Sequence, residues 1–458
     1  MIILIASHIL ILLNLQFTAW PEMLSFPYMI DKGFVIYKDF HHVYQPLLTY
    51  LLLGTYKLFG FNILTLKTFT YVLIALIDFV LFIVVKKLTK NNRIAILSLF
   101  VYIFLQPVFD GNMLWYDVAV ILPALLSLYF VESSLFLSGF FVAIAFLTKQ
   151  QAVLLGIPIF IYLLIKKEKL KSILKFIYGC ITPVVFLGIL LLKFNLISDY
   201  LFWTFEFPLI HLPKIEGYAI APNTKEIGIL MLMILTVVVG FVTNYKKIRP
   251  IFYVLSFSLA FLILSAFPRF SLFHLQPALA VFIVLIGYLF NLGNEESTTS
   301  RSRFLLTSDF IRFWSDKYFV LLLIPILYLW KGVILNPVKE TRFYSQSDVN
   351  MGIEIKKTVG NEKVYFLGPS SINYVLSNTV SLKPWIENYV WHFEIPKLQE
   401  SVIAGWRDNP PTFIYWSRPK EGNWYDLATY QPEKIVEYIR QNYMKIDEYH
   451  DIEIWRKK

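Results

Sequence analysis

Residues 64–93 read LTLKTFTYVLIALIDFVLFIVVKKLTKNNR, and the fold class turns on that stretch. From Leu64 to Val85 the charged side chains are Lys67, near the start, and Asp78, in the middle. As a helix rising about 1.5 Å per residue the run reaches about 33 Å, enough to cross a hydrocarbon core of about 30 Å. The cluster Lys86-Lys87-Leu88-Thr89-Lys90 with Arg93 then closes it. Lys and Arg are retained on the cytoplasmic side, so the run passes from outside to inside.

Composition extends this reading to the whole chain. Of 458 residues 57% are hydrophobic, 17% aromatic and 16% charged, where an ordinary soluble domain carries about 25% charged residues. Lys+Arg number 42 against 32 Asp+Glu, a net +10, and the mean hydropathy is +0.58. This balance excludes a soluble globular enzyme, a disordered chain and a nucleic-acid binder held by an all-over basic surface. It specifies a polytopic α-helical membrane protein. The single cysteine, Cys180, permits neither an intrachain disulfide nor a cysteine metal site. Met1–Leu15 lack a basic n-region and a small-residue cleavage site, so they read as a first span rather than a removed signal.

Three further basic loops belong inside with Lys86–Arg93: Lys166–Lys175, Lys246–Arg249, and 291–317 with Arg301, Arg303 and Arg312. With 1–17 leading outward, the remaining spans are 64–85, 94–107, 118–132, 135–148, 151–165, 176–194, 227–243, 250–267, 274–291 and 318–334. That is about 11 transmembrane helices, several of them short. The apolar segment Pro46–Gly60 contains Lys57 and is expected to lie as a helix along the outer face, which leaves 18–63 as one long outer loop. From about Asn336 polar residues and prolines appear, so the expected division is a membrane domain over 1–334 and a small extracytoplasmic α/β domain over 335–458. In that tail Lys363–Leu367 and Thr412–Trp416 read as strands, Pro432–Ile439 as an amphipathic helix with Pro at its start, and Met444–Arg456 as a closing hairpin.

Ionisable residues at the outer span ends carry the chemical information. The first outer loop holds Glu22, Asp31, Asp39, His41 and His42, and the second holds Asp110 and Asp117. Lys149 and Arg269 sit at outward span ends, against the positive-inside bias, with His274 and Gln276 shortly after Arg269 and Lys67 just inside the second span. A cation near a span end has a plain interfacial reading, with its head drawn toward water. Two such exceptions on one side instead suit a phosphate at headgroup level, bound by Arg as a fork and by Lys as a point charge. Asp78, mid-span, reads either as a packing residue facing other helices or, with Glu132, as a proton path. Most of Trp385, Trp391, Trp406, Trp416 and Trp424 read as core of the tail rather than sugar platforms.

The order of these features resembles a known family. Ala19-Trp20-Pro21-Glu22 follows an outward first span, then come Tyr37-Lys38-Asp39-Phe40, Gln45–Leu51 ending in Leu58-Phe59-Gly60, and Lys67 at the second span. The Phe140–Lys149 run with Gln150 and then Pro268-Arg269-Phe270 complete the series. The chain is similar to GT-C glycosyltransferases of the protein O-mannosyltransferase and aminoarabinose-transferase type over most of 1–334. The tail also looks like the outer α/β domain of some bacterial members. The resemblance implies transfer of a sugar from a polyprenyl-phosphate donor, with inversion, to an acceptor glycan, lipid or protein on the extracytoplasmic face of the membrane.

It also implies site residues. Glu22 matches the catalytic acid of the first loop and Asp117, or alternatively Asp110, the acid of the second. Lys149 and Arg269 match residues near the lipid phosphate, with Asp39, His41, His274 and Lys67 as further substrate contacts. Many members carry Asp or Asp-Glu where this chain has Pro21-Glu22, and Arg where it has Lys67. A prenyl phosphate leaves readily, so the chemistry asks for a carboxylate to take the acceptor proton and cations to hold the departing charge. No cofactor is called for; a divalent cation bridging Glu22 and Asp117 is compatible with carboxylate oxygens but has no ligand spacing behind it. The rival readings are a secondary transporter and a non-catalytic glycan-binding membrane scaffold.

Overall fold

A computed structural model describes residues 1–215, 218–298, 327, 330–331, 340–386, 395, 397–417, 432–449 and 451–458. In chain order the membrane-type helices are α1 (Ile2–Leu13), α2 (Glu22–Asp31), α3 (Leu47–Phe59), α4 (Ile63–Thr89), α5 (Asn92–Leu105), α6 (Tyr116–Phe130) and α7 (Leu135–Thr148). They continue with α8 (Gly156–Ile165), α9 (Leu170–Lys193), α10 (Ile197–Leu201), α11 (Thr224–Asn244), α12 (Ile251–Leu264) and α13 (Gln276–Thr298). The tail adds α14 (Gln346–Val359), β1 (Val364–Leu367), α15 (Ile372–Ser377), α16 (Leu398–Asp408), β2 (Phe413–Ser417), α17 (Glu433–Asn442), β3 (Tyr443–Tyr449) and β4 (Ile452–Lys457).

Among the described residues five helical stretches are long and apolar enough to cross a membrane: Ile63–Thr89, Asn92–Phe109, Leu170–Lys193, Thr224–Asn244 and Leu272–Leu292. Six shorter apolar ones run over Ile2–Leu13, Leu47–Phe59, Tyr116–Phe130, Leu135–Thr148, Gln150–Ile165 and Ile251–Leu264. The chain is an integral membrane protein. Each expected span up to 274–291 falls on one of these helices, whereas 318–334, apart from 327, 330 and 331, lies outside the described residues together with Arg301, Arg303 and Arg312. Tight 3-10 turns at Gln106–Phe109 and Gln150–Leu155 break the α-helical ladder at the ends of two of these stretches.

The chain divides into two units. The first comprises Met1–Phe17, Thr70–Val184 and Ala221–Lys339 and is helical throughout the described residues. Its most enclosed helix is α13, where 83% of the apolar window Leu272–Leu292 is covered by protein, against 11% for α11. Helices α7 and α9 touch backbone to backbone: a Cβ on Gly139 would lie 2.1 Å from the Phe176 carbonyl oxygen, and one on Gly179 the same distance from that of Phe136. Three polar side chains buried in this unit bond to one another, as a low-dielectric interior favours. His8 Nδ1 lies 2.8 Å from Asp78 Oδ2 and His8 Nε2 lies 3.3 Å from Gln106 Oε1, with all three side chains wholly buried.

The second unit comprises Thr18–Phe69, Val185–Ile220 and Glu340–Lys458. Its four-stranded sheet has the order β1-β2-β4-β3, with β1 parallel to β2 and the remaining pairs antiparallel. Strands, helix and hairpin fall where the tail's patterning places them. Trp385, Trp406 and Trp416 are core residues, while Trp391 and Trp424 lie outside the described residues. One hydrophobic cluster joins Phe26, Phe34 and Phe40 of the first loop to Phe366, Trp385 and Tyr415 of the tail. The loop therefore owes its fold to the tail. Tyr28 Oη donates to the Thr379 carbonyl at 3.1 Å, the Trp385 N–H donates to the Asp39 carbonyl at 2.8 Å, and Ser371 Oγ donates to Ser25 Oγ at 3.0 Å.

Helix α3 buries Leu48, Thr49, Leu52 and Tyr56 along one stripe, and Tyr56 Oη donates to the Met23 carbonyl at 3.0 Å. His42 is wholly buried, with Nδ1 2.8 Å from the Tyr44 carbonyl and Nε2 2.9 Å from Thr49 Oγ1. Burial disfavours its charged form and pushes its pKa down to about 4.

Candidate active site

The first unit gathers four of the expected residues. Asp117 lies in the first turn of α6, where a carboxylate suits the positive end of the helix. Lys149 stands at the same open end of the α6–α7 hairpin: at the C-terminus of α7 its backbone turns extended (φ −148°, ψ 124°), and a cation there suits the negative end of that helix. His274 belongs to the 3-10 turn Leu272–Leu275 that opens α13. Arg269 stands in the preceding turn, half-buried and close enough to His274 to act on it electrostatically.

The geometry is specific. Lys149 Nζ lies 2.5 Å from Asp117 Oδ1, and His274 Nδ1 lies 2.8 Å from Asp117 Oδ2. Asp117 and Lys149 are buried, while the His274 side chain keeps 14% of its surface exposed. An ionised Asp117 accepts from Nδ1, which leaves the second ring nitrogen, Nε2, directed away from the carboxylate. An ammonium carries three donors, of which Asp117 takes one. Lys149, His274 and Arg269 bring three basic side chains to one carboxylate, a donor-rich arrangement that suits an anionic ligand. Asp110, the alternative to Asp117, is exposed in a left-handed turn (φ 53°).

The other expected residues belong to the second unit. Glu22 is buried in the first turn of α2, directly after Pro21. Asp39 accepts from Lys383 Nζ at 2.6 Å and from the Val35 N–H at 2.8 Å, which closes a tight loop. Buried His41 packs its ring against Trp203, with centroids 5.6 Å apart. Lys67 Nζ donates to Thr341 Oγ1 at 2.8 Å. Among the described residues no group of three or more His, Cys, Asp or Glu is placed to hold a metal ion. Both oxygens of Asp117 accept from basic side chains, Lys149 on one and His274 on the other.

Sequence reasoning singled out Lys149 and Asp117 separately, and missed that they pair. It also missed Gln106; the signal available was Gln106-Pro107 at a span end, a polar residue where lipid burial disfavours one.

Residues 43–192 match the family model described as dolichyl-phosphate-mannose-protein mannosyltransferase. Among solved structures, ArnT from Cupriavidus metallidurans in the apo state superposes with a TM-score of 0.61 at 10% identity, covering 99% of this chain and 97% of that one. The same protein bound to undecaprenyl phosphate gives 0.59 at 10% identity with the same coverage. The archaeal oligosaccharyltransferase AglB from Archaeoglobus fulgidus, in complex with an inhibitory peptide and a dolichol-phosphate, gives 0.54 at 9% identity over 100% of this chain and 74% of that one.

The chain has the GT-C fold. No curated protein matches its sequence. At such low identity the GT-C likeness rests on architecture, and the chemistry must be argued from the residues themselves.

Proposed function

We propose that this GT-C-fold protein is a membrane glycosyltransferase that moves a sugar from a polyprenyl-phosphate donor to an acceptor hydroxyl, with inversion, at the extracytoplasmic membrane face. The buried Lys149–Asp117–His274 array, with Arg269 beside it, is the observation that carries the reading. Such a group is expensive in an apolar environment unless a charged ligand uses it. That family model, and the lipid phosphates named in two of the neighbouring structures, support a lipid-linked donor.

In this reaction the acceptor oxygen attacks the anomeric carbon, the bond from that carbon to the phosphate oxygen breaks, and prenyl phosphate departs with the electron pair. Glu22 takes the hydroxyl proton. Lys149 and Arg269 hold the charge growing on the phosphate, and Asp117 fixes Lys149 and His274 in place for it. Hexose and pentose donors both fit this scheme, as do glycan, lipid and protein acceptors.

The test is an assay of purified protein in liposomes against a panel of prenyl-phosphate sugars, scored by release of prenyl phosphate. Turnover with at least one donor, abolished in Glu22→Gln with donor binding kept, is the expected result. No release from any donor, or full activity in Glu22→Gln, overturns the assignment. A transporter would use Asp78 and Glu132 as one path. Asp78 is instead sealed against His8, and Glu132 lies 3.5 Å from Arg249 Nη2 and 3.3 Å from Tyr162 Oη.

A further inference from the structure

Two wholly buried glutamines hold the loop that delivers Asp117. The turn Gln106–Phe109 ends α5 and turns its carbonyls toward partners outside the helix, besides the Asp110 N–H that donates to Gln106 and Pro107. Gln276 Nε2 donates to two of them, the carbonyls of Gln106 at 2.9 Å and Phe109 at 2.7 Å. The Gln106 carbonyl also accepts from the Gly111 N–H at 3.1 Å, and Gln106 Nε2 donates back to the Gly111 carbonyl at 2.8 Å. A Cβ on Gly111 would lie 2.2 Å from Gln106 Nε2, so the amide seats only against a glycine. Because that nitrogen donates to Gly111, Gln106 Oε1 faces His8 and accepts from its Nε2–H. Asn112 Nδ2 then donates to the carbonyls of Leu12, Leu15 and Gln16 at the end of α1.

We infer that Gln276, acting with Gln106, is a positioning residue for the transfer proposed above: its amide clamps residues 106–111 to the start of α13 and thereby sets the pairing of Asp117 with His274. Gln276 lies two residues after His274, so one amide ties the turn carrying the imidazole to the loop carrying the carboxylate. Neither glutamine has to touch substrate. A shift of about 1 Å in a reacting constellation costs up to about 10²-fold in rate.

The inference rests on the transferase reading, and the experiment separates the two. Gln276→Met keeps length and burial but removes both donors. With a donor that the wild-type protein turns over, kcat should fall about 10- to 100-fold with the donor KM within about twofold. In an Asp117→Asn background the same substitution should add nothing, because the group it positions is already disabled. Amide hydrogen exchange across residues 106–117 should quicken at least tenfold while exchange elsewhere in the first unit holds.

Gly111→Ala instead displaces the Gln106 amide and crowds the Gln106 carbonyl that Gln276 holds, and should give the same signature, which covers the case in which Gln276→Met does not fold. Unchanged kcat, a loss that multiplies in full onto Asp117→Asn, or faster exchange spread over the whole unit overturns the positioning role. A wild-type protein that releases no prenyl phosphate overturns the transferase reading instead. Exchange across 106–117 then decides alone whether Gln276 holds the loop.

Discussion

The first unit builds the same pair twice. In both His8–Asp78 and His274–Asp117 an imidazole Nδ1 lies 2.8 Å from an aspartate Oδ2. The surroundings differ. Around Asp78 both side chains are sealed and the second ring nitrogen is spent on Gln106, so the pair has no exposed face for a ligand to reach. Around Asp117 a lysine is added on the other oxygen and the imidazole reaches the surface. Identical local chemistry thus serves as an internal tie in one place and as a charged, accessible array in the other. Access and an added lysine, not the pair itself, distinguish the array around Asp117 from the tie around Asp78.

Breaking each pair in the same way is the sharpest test of that contrast. Asp117→Asn should lower kcat for prenyl-phosphate release by about 10³-fold, since it loosens both cationic and imidazole partners at once. Asp78→Asn should lower kcat by less than about tenfold and instead cost about 1–3 kcal/mol of stability, read from thermal unfolding in detergent. Equal kinetic losses in the two variants would erase the distinction. Lys149→Met removes the feature present in one pair only. It should weaken binding of undecaprenyl phosphate about 10-fold or more at low salt, measured by quenching or calorimetry, with a smaller difference at high salt.

A third imidazole, His42 in the second unit, tests burial without any carboxylate. Its folded pKa of about 4 lies below the ordinary 6.5, so between these values the unfolded chain binds more protons. Its contribution to stability is complete above about pH 6.5 and is lost as pH falls toward 4, at up to about 1.4 kcal/mol per pH unit. His42→Asn should flatten that part of the pH-stability curve. The smallest and most local effect concerns the α7–α9 contact: Gly139→Ala should cost about 1–3 kcal/mol through overpacking with kcat unchanged, by thermal unfolding and assay.

Much of this was legible beforehand for physical reasons that can be named. Hydropathy and loop charge locate the helices because an unpaired backbone cannot cross lipid. The continuous apolar runs within Lys363–Leu367 and Thr412–Trp416 locate strands that are buried on both faces, and the amphipathic pattern of Pro432–Ile439 locates a helix with one face to bury. Lys149 and Arg269 stand out because they break a charge bias. What stayed hidden is long-range pairing. His8 meets Asp78 and Gln106 across 70 and 98 positions, and Gln276 meets Gln106 across 170, separations that periodicity does not encode. The shared core of the first loop and the tail is hidden in the same way, since Phe26 and Trp385 look like ordinary aromatics until they pack together.

Helix α11 carries one more consequence. It is among the most apolar stretches of the chain, yet protein covers little of it, and its buried residues are Met233 and Gly240, seven positions apart on one stripe. A Cβ on Gly240 would strike Leu289 Cδ1 at 2.5 Å, so this glycine is the notch through which α11 leans on α13. Acyl chains therefore solvate most of its circumference. On extraction, detergent tails must replace that annulus, and loss of annular lipid should loosen α11 before any other helix of the first unit.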